Sequence, residues 1–326
     1  MPRASIAQRV QIGVETTPGT AVPANRLLQA LGIEKSIEIE SAQFKPAGFK
    51  FPTISVVGKE WTEAELSGTP TYTELVYPLA SILGYQAPTQ LNPPTGTAYE
   101  WIFEPKANAP DTVKTFTVEQ GDGTTNERFT YGLVTEFGMN ISREEIEIEG
   151  TMLGKRIERV SSLTANPTAI RLEPILPTQI SVYLDTSHTA LGTTKIRPIS
   201  IEWKISDRFS PLWVLDSDID SFAAVNESEP DTELNLLIEA DNAGMALLDT
   251  MRQGAKAFLR IKALGPTIEG ATKYEFTMDA CIVVSDSAEF SDEDGTYAIQ
   301  WACSFAYDQG WGKVLSIKLV NDVSGL

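Results

Sequence analysis

The sequence predicts a mainly β fold, a β-sandwich or barrel with one short flanking α-helix, written twice along the chain. Three observations predict it. Many runs alternate with period two: Ile199, Ile201, Trp203 and Ile205 share one face, while Ser200, Glu202 and Lys204 share the other. Helical spacing is confined to two short stretches, Leu75–Leu83 and Met245–Met251, each followed by a glycine, Gly84 and Gly254. The order of these parts also recurs. Ile37-Glu38-Ile39-Glu40 leads to Phe44, and Ile201-Glu202-Trp203-Lys204 leads to Phe209; Trp61–Leu66 precedes the first helix and Leu234–Glu239 the second.

A chain of 326 residues has room for two domains. The text turns to Ser, Thr, Asn and Pro between Ser161 and Pro177, as a linker does. The expected division is residues 1–162, a linker at 163–177, and residues 178–326. At 42% apolar residues, each half can bury its own core.

In the first half, Val10–Glu15 alternates and reads as a strand, followed by the turn text Thr16-Thr17-Pro18-Gly19-Thr20. Gln179–Thr186 repeats that strand and turn. Strands at Ser36–Ser41 and Ile199–Ile205 come next. Each leads into a segment mixing Pro with large apolar residues, Phe44–Pro52 and Phe209–Pro230, read as long irregular loops that meet another surface. Thr71-Tyr72-Thr73-Glu74 fits a capping box for the first helix, with Pro78 tolerated near its first turn, and Asp241 is the expected N-cap of the second. The remaining strands are expected at Tyr99–Glu104, Thr115–Glu119, Phe129–Phe137, Glu144–Met152, Ala257–Ala263, Tyr274–Ser285 and Thr296–Tyr307.

The formal net charge of −18 argues against a basic nucleic-acid groove, because displacing counterions from phosphates takes clustered Lys and Arg. Cys281 and Cys303 lie in apolar strand text and are expected as buried thiols, with a cross-strand disulfide the alternative. Met1-Pro2-Arg3-Ala4-Ser5 has no apolar signal-peptide region, and no apolar run is long enough for a membrane span, so synthesis in the cytoplasm is expected.

Catalytic signatures are sparse. His188 is the only histidine and sits in turn text, so any Ser/His/Asp or Cys/His set would depend on it alone. Asp216-Ser217-Asp218-Ile219-Asp220, with Glu227 beyond, imitates a calcium loop, but Ser221 stands where the sharp-turn glycine belongs. Glu145, Glu147 and Glu149 could serve as paired acid/base carboxylates, yet three like charges on one strand face more simply mean that the face meets water. The expected reading has no catalytic residue, no cofactor and no metal.

Against this background Gln11-Ile12-Gly13-Val14-Glu15-Thr16-Thr17-Pro18-Gly19-Thr20-Ala21 resembles the opening of tail tube proteins of long, non-contractile-tailed bacteriophages. The path from Trp61 through Gly68 to Leu75–Gly84 is similar too, as is the closing pair Phe129–Asn140 and Glu144–Arg156. The likeness covers most of the first half and reaches the second through the repeat. It implies a duplicated tail tube fold and a virion structural protein. Homotrimers would form pseudo-hexameric rings, stacked into a tube around the tape measure protein and then the genomic DNA, and meeting tail terminator and tail-tip proteins at its ends. The chain would be made in the host bacterial cytoplasm and would not itself bind membrane. Phe44, Phe49, Phe51 and Trp213 are the expected inter-ring contacts, and Glu145, Glu147 and Glu149 the expected lumen lining. An acidic lumen would repel phosphates and let a duplex slide. The alternative is a phage baseplate or receptor-binding β-sandwich module.

Overall fold

Alternating apolar and polar side chains settle into strands because that period puts one row against a core and the other in water. The computed structural model describes residues 8–242, 244–286 and 288–326; the amino-terminal Met1–Ser5 lies outside them. The fold is mainly β, with two short α-helices among the described residues. The first half contains β1 (Arg9–Val14), β2 (Arg26–Leu28), β3 (Leu31–Phe44), β4 (Ile54–Gly68), α1 (Val76–Ile82), β5 (Thr89–Gln90), β6 (Tyr99–Phe103), β7 (Phe116–Gly121), β8 (Asn126–Ser142), β9 (Ile146–Gly154) and β10 (Glu158–Val160). After β11 (Thr168–Ala169), the second half contains β12 (Ile180–Asp185), β13 (Lys195–Ile196), β14 (Pro198–Ser206), β15 (Phe209–Leu212), β16 (Ala224–Glu227), β17 (Asp231–Glu239), α2 (Ala246–Gln253), β18 (Ala257–Glu269), β19 (Thr272–Val284), β20 (Glu289–Glu293), β21 (Thr296–Phe305) and β22 (Leu315–Asn321).

The strand pairings repeat from one half to the other. In the first, β1 pairs with β2 and β7, β7 with β8, β8 with β9 and β10, β9 with β4, and β4 with β3. In the second, β12 pairs with β13 and β18, β18 with β19, β19 with β21 and β22, β21 with β17, and β17 with β14. Even the buried carboxylate that closes the first strand is matched. Glu15 accepts from the Gly19 and Tyr131 N–H groups and from Thr115 and Thr117. Asp185 accepts from the Gly192, Thr193 and Thr194 N–H groups.

Two junctions join the halves. At the first, β8 continues beyond its own half and pairs with β14, Ile141 opposite Ile201, Met139 opposite Trp203 and Phe137 opposite Ile205. Gly138 permits the close approach: a Cβ there would meet the Trp203 carbonyl oxygen at 2.8 Å. At the second, β6 pairs with β22. β6 lies on the long excursion between α1 and β7, for which the short α2–β18 connection has no counterpart. The apolar core runs through both halves, with Trp101, Trp203 and Trp301 fully buried.

The structure corrects several local expectations. The first helix starts at Val76 with Leu75 as N-cap, and the Glu74 side chain does not close a capping box. It reaches back to accept the N–H groups of Gln29, Ala30 and Leu31, so it fixes the turn into β3 instead. The second helix starts at Ala246 with Met245 as N-cap; Asp241 accepts from Gly244 in the turn before it. Phe209–Pro230 is irregular only in part: β15 and β16 pair towards its two ends, and residues 213–223 between them form the loop. β3 extends to Phe44 through a bulge at Glu40/Ser41, and residues 45–53, which join it to β4, form an irregular loop much as expected for Phe44–Pro52. Both cysteines are free and buried.

Candidate functional site

Seven consecutive antiparallel pairings place eight strands side by side in the order β3-β4-β9-β8-β14-β17-β21-β20. Register assigns the faces of this continuous sheet. On the inner face Ile33, Leu66, Ile148, Met139, Trp203 and Leu234 are buried. Their neighbours point the other way. Glu34 stands opposite Glu65, Ser67 opposite Glu149, Glu147 opposite Asn140, and Asn140 opposite Glu202. Glu34, Glu63, Glu65, Glu147, Glu149 and Glu202 are all exposed. Like charges set across strands are destabilising, so this pattern is not explained by stability of the isolated chain.

Glu147 and Glu149 therefore lie on the open face as their alternation predicts, whereas Glu145 sits in the hairpin connection before β9. The acidity extends well past that strand, across both halves. Lys204 offsets it at the joint between them, bonding to Glu136 at 2.8 Å from β14 to β8. This ion pair raises the Lys204 ammonium above its ordinary pKa.

The far end of β3–β4 is a second feature. Phe44, Phe49 and Phe51 are exposed, Phe51 by 76%, and Ile54, Val56 and Val57 beside them are exposed too. Contiguous apolar surface of this kind marks a contact surface. Trp213 behaves differently. It packs on Trp61 at 5.8 Å and on Phe222 at 6.1 Å between ring centroids, with Lys59 over its face. Phe222 is fully buried there, against Tyr131, Leu133 and Leu153 of the first half. The Trp213 loop thus folds back on its own chain.

Arg208 anchors this second arm. Its guanidinium is buried and donates to the Ile82 carbonyl oxygen at the end of α1, to Asp111 and to Glu227. Burial pushes the Asp111 carboxyl up, against the pull of Arg208. A cleft of about 410 Å³ remains beside the arm, lined by Trp61, Phe209, Trp213, Glu40, Lys59 and Glu63.

The candidate chemical groups do not converge. Among the described residues no group of three or more His, Cys, Asp or Glu could hold a metal ion. Asp216 accepts from the Asp218 N–H, and Asp220 pairs with Arg156. His188 lies in a short 3₁₀ turn beside Asp308, at 3.8 Å. Burial pushes the thiols of Cys281 and Cys303 up, to about 11 and about 12, away from nucleophilic use. No described helix is long and apolar enough to cross a membrane. Comparison with protein-family models finds no match, and comparison with curated proteins finds no similar sequence.

Proposed function

We propose that the chain is a structural subunit whose activity is self-assembly: homotrimers form pseudo-hexameric rings, and the rings stack into the hollow tube of a phage tail. The observation that carries this reading is the eight-stranded sheet joined through β8 and β14, acidic along one face and covered by the core on the other. Turned inward, that face lines a channel whose charge repels DNA phosphates, so a duplex passes without adhering. Glu147 and Glu149 belong to the lining. The exposed Phe44, Phe49 and Phe51 supply contact between rings. The tape measure protein and the genome would occupy the lumen in turn, with terminator and tip proteins at the ends. The working location is the virion, after assembly in the host cytoplasm.

The purified protein, imaged by negative stain and sedimented over a range of concentrations, is expected to form trimers and stacked rings. A monomer that persists to the solubility limit overturns the reading. The tryptophan-lined cleft supports the alternative, a receptor-binding module for surface glycans. That alternative predicts sugar binding by a monomer, lost in Trp61→Ala, and no filament.

A further inference from the structure

The two halves carry the same hairpin, but only one of them has its partner. β8–β9 closes through Arg143-Glu144 and β20–β21 through Asp294-Gly295. Counted from these turns, Met139 corresponds to Phe290 and Ile148 to Ile299. The match extends across each half as rows of paired residues. Leu31, Gly68, Ile148 and Met139 form one row. Pro198, Ile238, Ile299 and Phe290 form the other. One row further along, Ile33 opposite Leu66 corresponds to Ile201 opposite Leu236.

Burial separates the equivalents. Met139, Ile141 and Ile146 are buried, because β14 lies alongside. Phe290 and Tyr297, stacked on each other at 5.2 Å, are 52% and 63% exposed. Among the described residues β20 pairs only with β21, and β3, the counterpart of β14, pairs only with β4, so the outer edge of each is bare. Ile37, the counterpart of the buried Ile205, is 55% exposed. Bare edges of this length act as templates for another strand.

We infer that β20 of one copy pairs antiparallel with β3 of the next, reproducing between chains the β8–β14 junction found within the chain. This rests on the self-assembly reading and specifies its lateral contact. The β8–β14 register carries over residue by residue: Ile33 opposite Asp292, Glu34 opposite Ser291, Lys35 opposite Phe290 and Ser36 opposite Glu289. Phe290 and Tyr297 are then covered by Ile37 and the Lys35 stem. β3 and β20 stand at opposite ends of the sheet, so the contact is head-to-tail and closes by rotation rather than as a two-fold dimer.

The test mixes two single-cysteine proteins, Glu34→Cys and Ser291→Cys, under mild oxidation. A second mixture, Ser36→Cys with Glu289→Cys, serves if Ser291→Cys folds poorly. The control for geometry is Asn140→Cys/Glu202→Cys in one chain, which mimics the same pairing internally. Opposed Cβ atoms lie within about 5.5 Å, near cystine range, whereas a two-residue slip moves them to about 7–8 Å. The expected result is a disulfide-linked pair in each matched mixture, absent from either protein alone and at most a trace when Glu34→Cys meets Glu293→Cys. Rings or tubes without a cross-link in either matched mixture overturn the pairing and leave the self-assembly reading standing. Neither assembly nor cross-link overturns both. A cross-link without stacked rings supports the pairing and counts against the tube.

Discussion

The β3–β4 and β15–β16 arms occupy the same place in the two halves, yet one is bare at its tip and the other is packed. The second arm lies on the face of the first half, with Phe222 buried among Tyr131, Leu133 and Leu153 and with Arg208 gripping the end of α1. The tip of the first arm has no such neighbour among the described residues, and its phenylalanines face water. The difference follows from position in the chain rather than from composition. A repeat that follows another has a surface to lean on, and the leading repeat has none.

Removing the anchor gives the largest expected effect. Arg208→Leu leaves Asp111 and Glu227 without their cation and is expected to cost about 3–5 kcal/mol in urea unfolding. An unchanged midpoint would mean that the arm is held by its aromatics alone. Phe222→Ala is next, at about 3 kcal/mol, because it empties a fully buried site. In the same measurement Phe51→Ala is expected to move stability by less than about 0.5 kcal/mol, as an exposed substitution does. Its loss should instead appear as fewer stacked rings by sedimentation; equal costs for the two phenylalanines would erase the contrast between the arms.

The smallest effect concerns the paired carboxylates of the two first strands. Burial alone would raise the Asp185 carboxyl, but hydrogen bonds from Thr193 and Thr194 outweigh it and hold the group below its ordinary value. A carboxyl lowered on folding stabilises above its unfolded pKa of about 3.9 and loses that contribution as pH falls through the lower folded value. Asp185→Asn should therefore reduce the acid sensitivity of unfolding in this window. An identical pH profile would leave Asp185 no part in it.

Much of the fold is legible in the sequence because the half-buried strands alternate strictly. Ile199–Ile205 announces β14, and Ile146-Glu147-Ile148-Glu149 announces both β9 and its acidic face. β20 is not legible: Glu289-Phe290-Ser291-Asp292-Glu293 offers one large apolar residue, and its pairing is set by the hairpin turn. β22 carries a clear alternation at Leu315, Ile317 and Leu319, although the last strand expected from sequence ends at Tyr307. Local similarity also misplaces the repeat. Ile37-Glu38-Ile39-Glu40 imitates Ile201-Glu202-Trp203-Lys204, but the ladder sets Ile33 in the place of Ile201. Trp213 illustrates the same limit, since an aromatic in proline-rich text looks alike whether it meets a neighbour or its own chain.

The covalent link between the halves has a kinetic consequence for any assembly they enter. The β8–β14 seam forms at the effective concentration of a tethered pair and does not wait for a collision. The β6–β22 pairing rivets it further, and among the described residues the second half has no counterpart of β6 to supply that rivet to another chain. Alternate seams around a closed ring would then differ in strength, so dilution would split the ring only at every second seam and release whole chains with their folds intact.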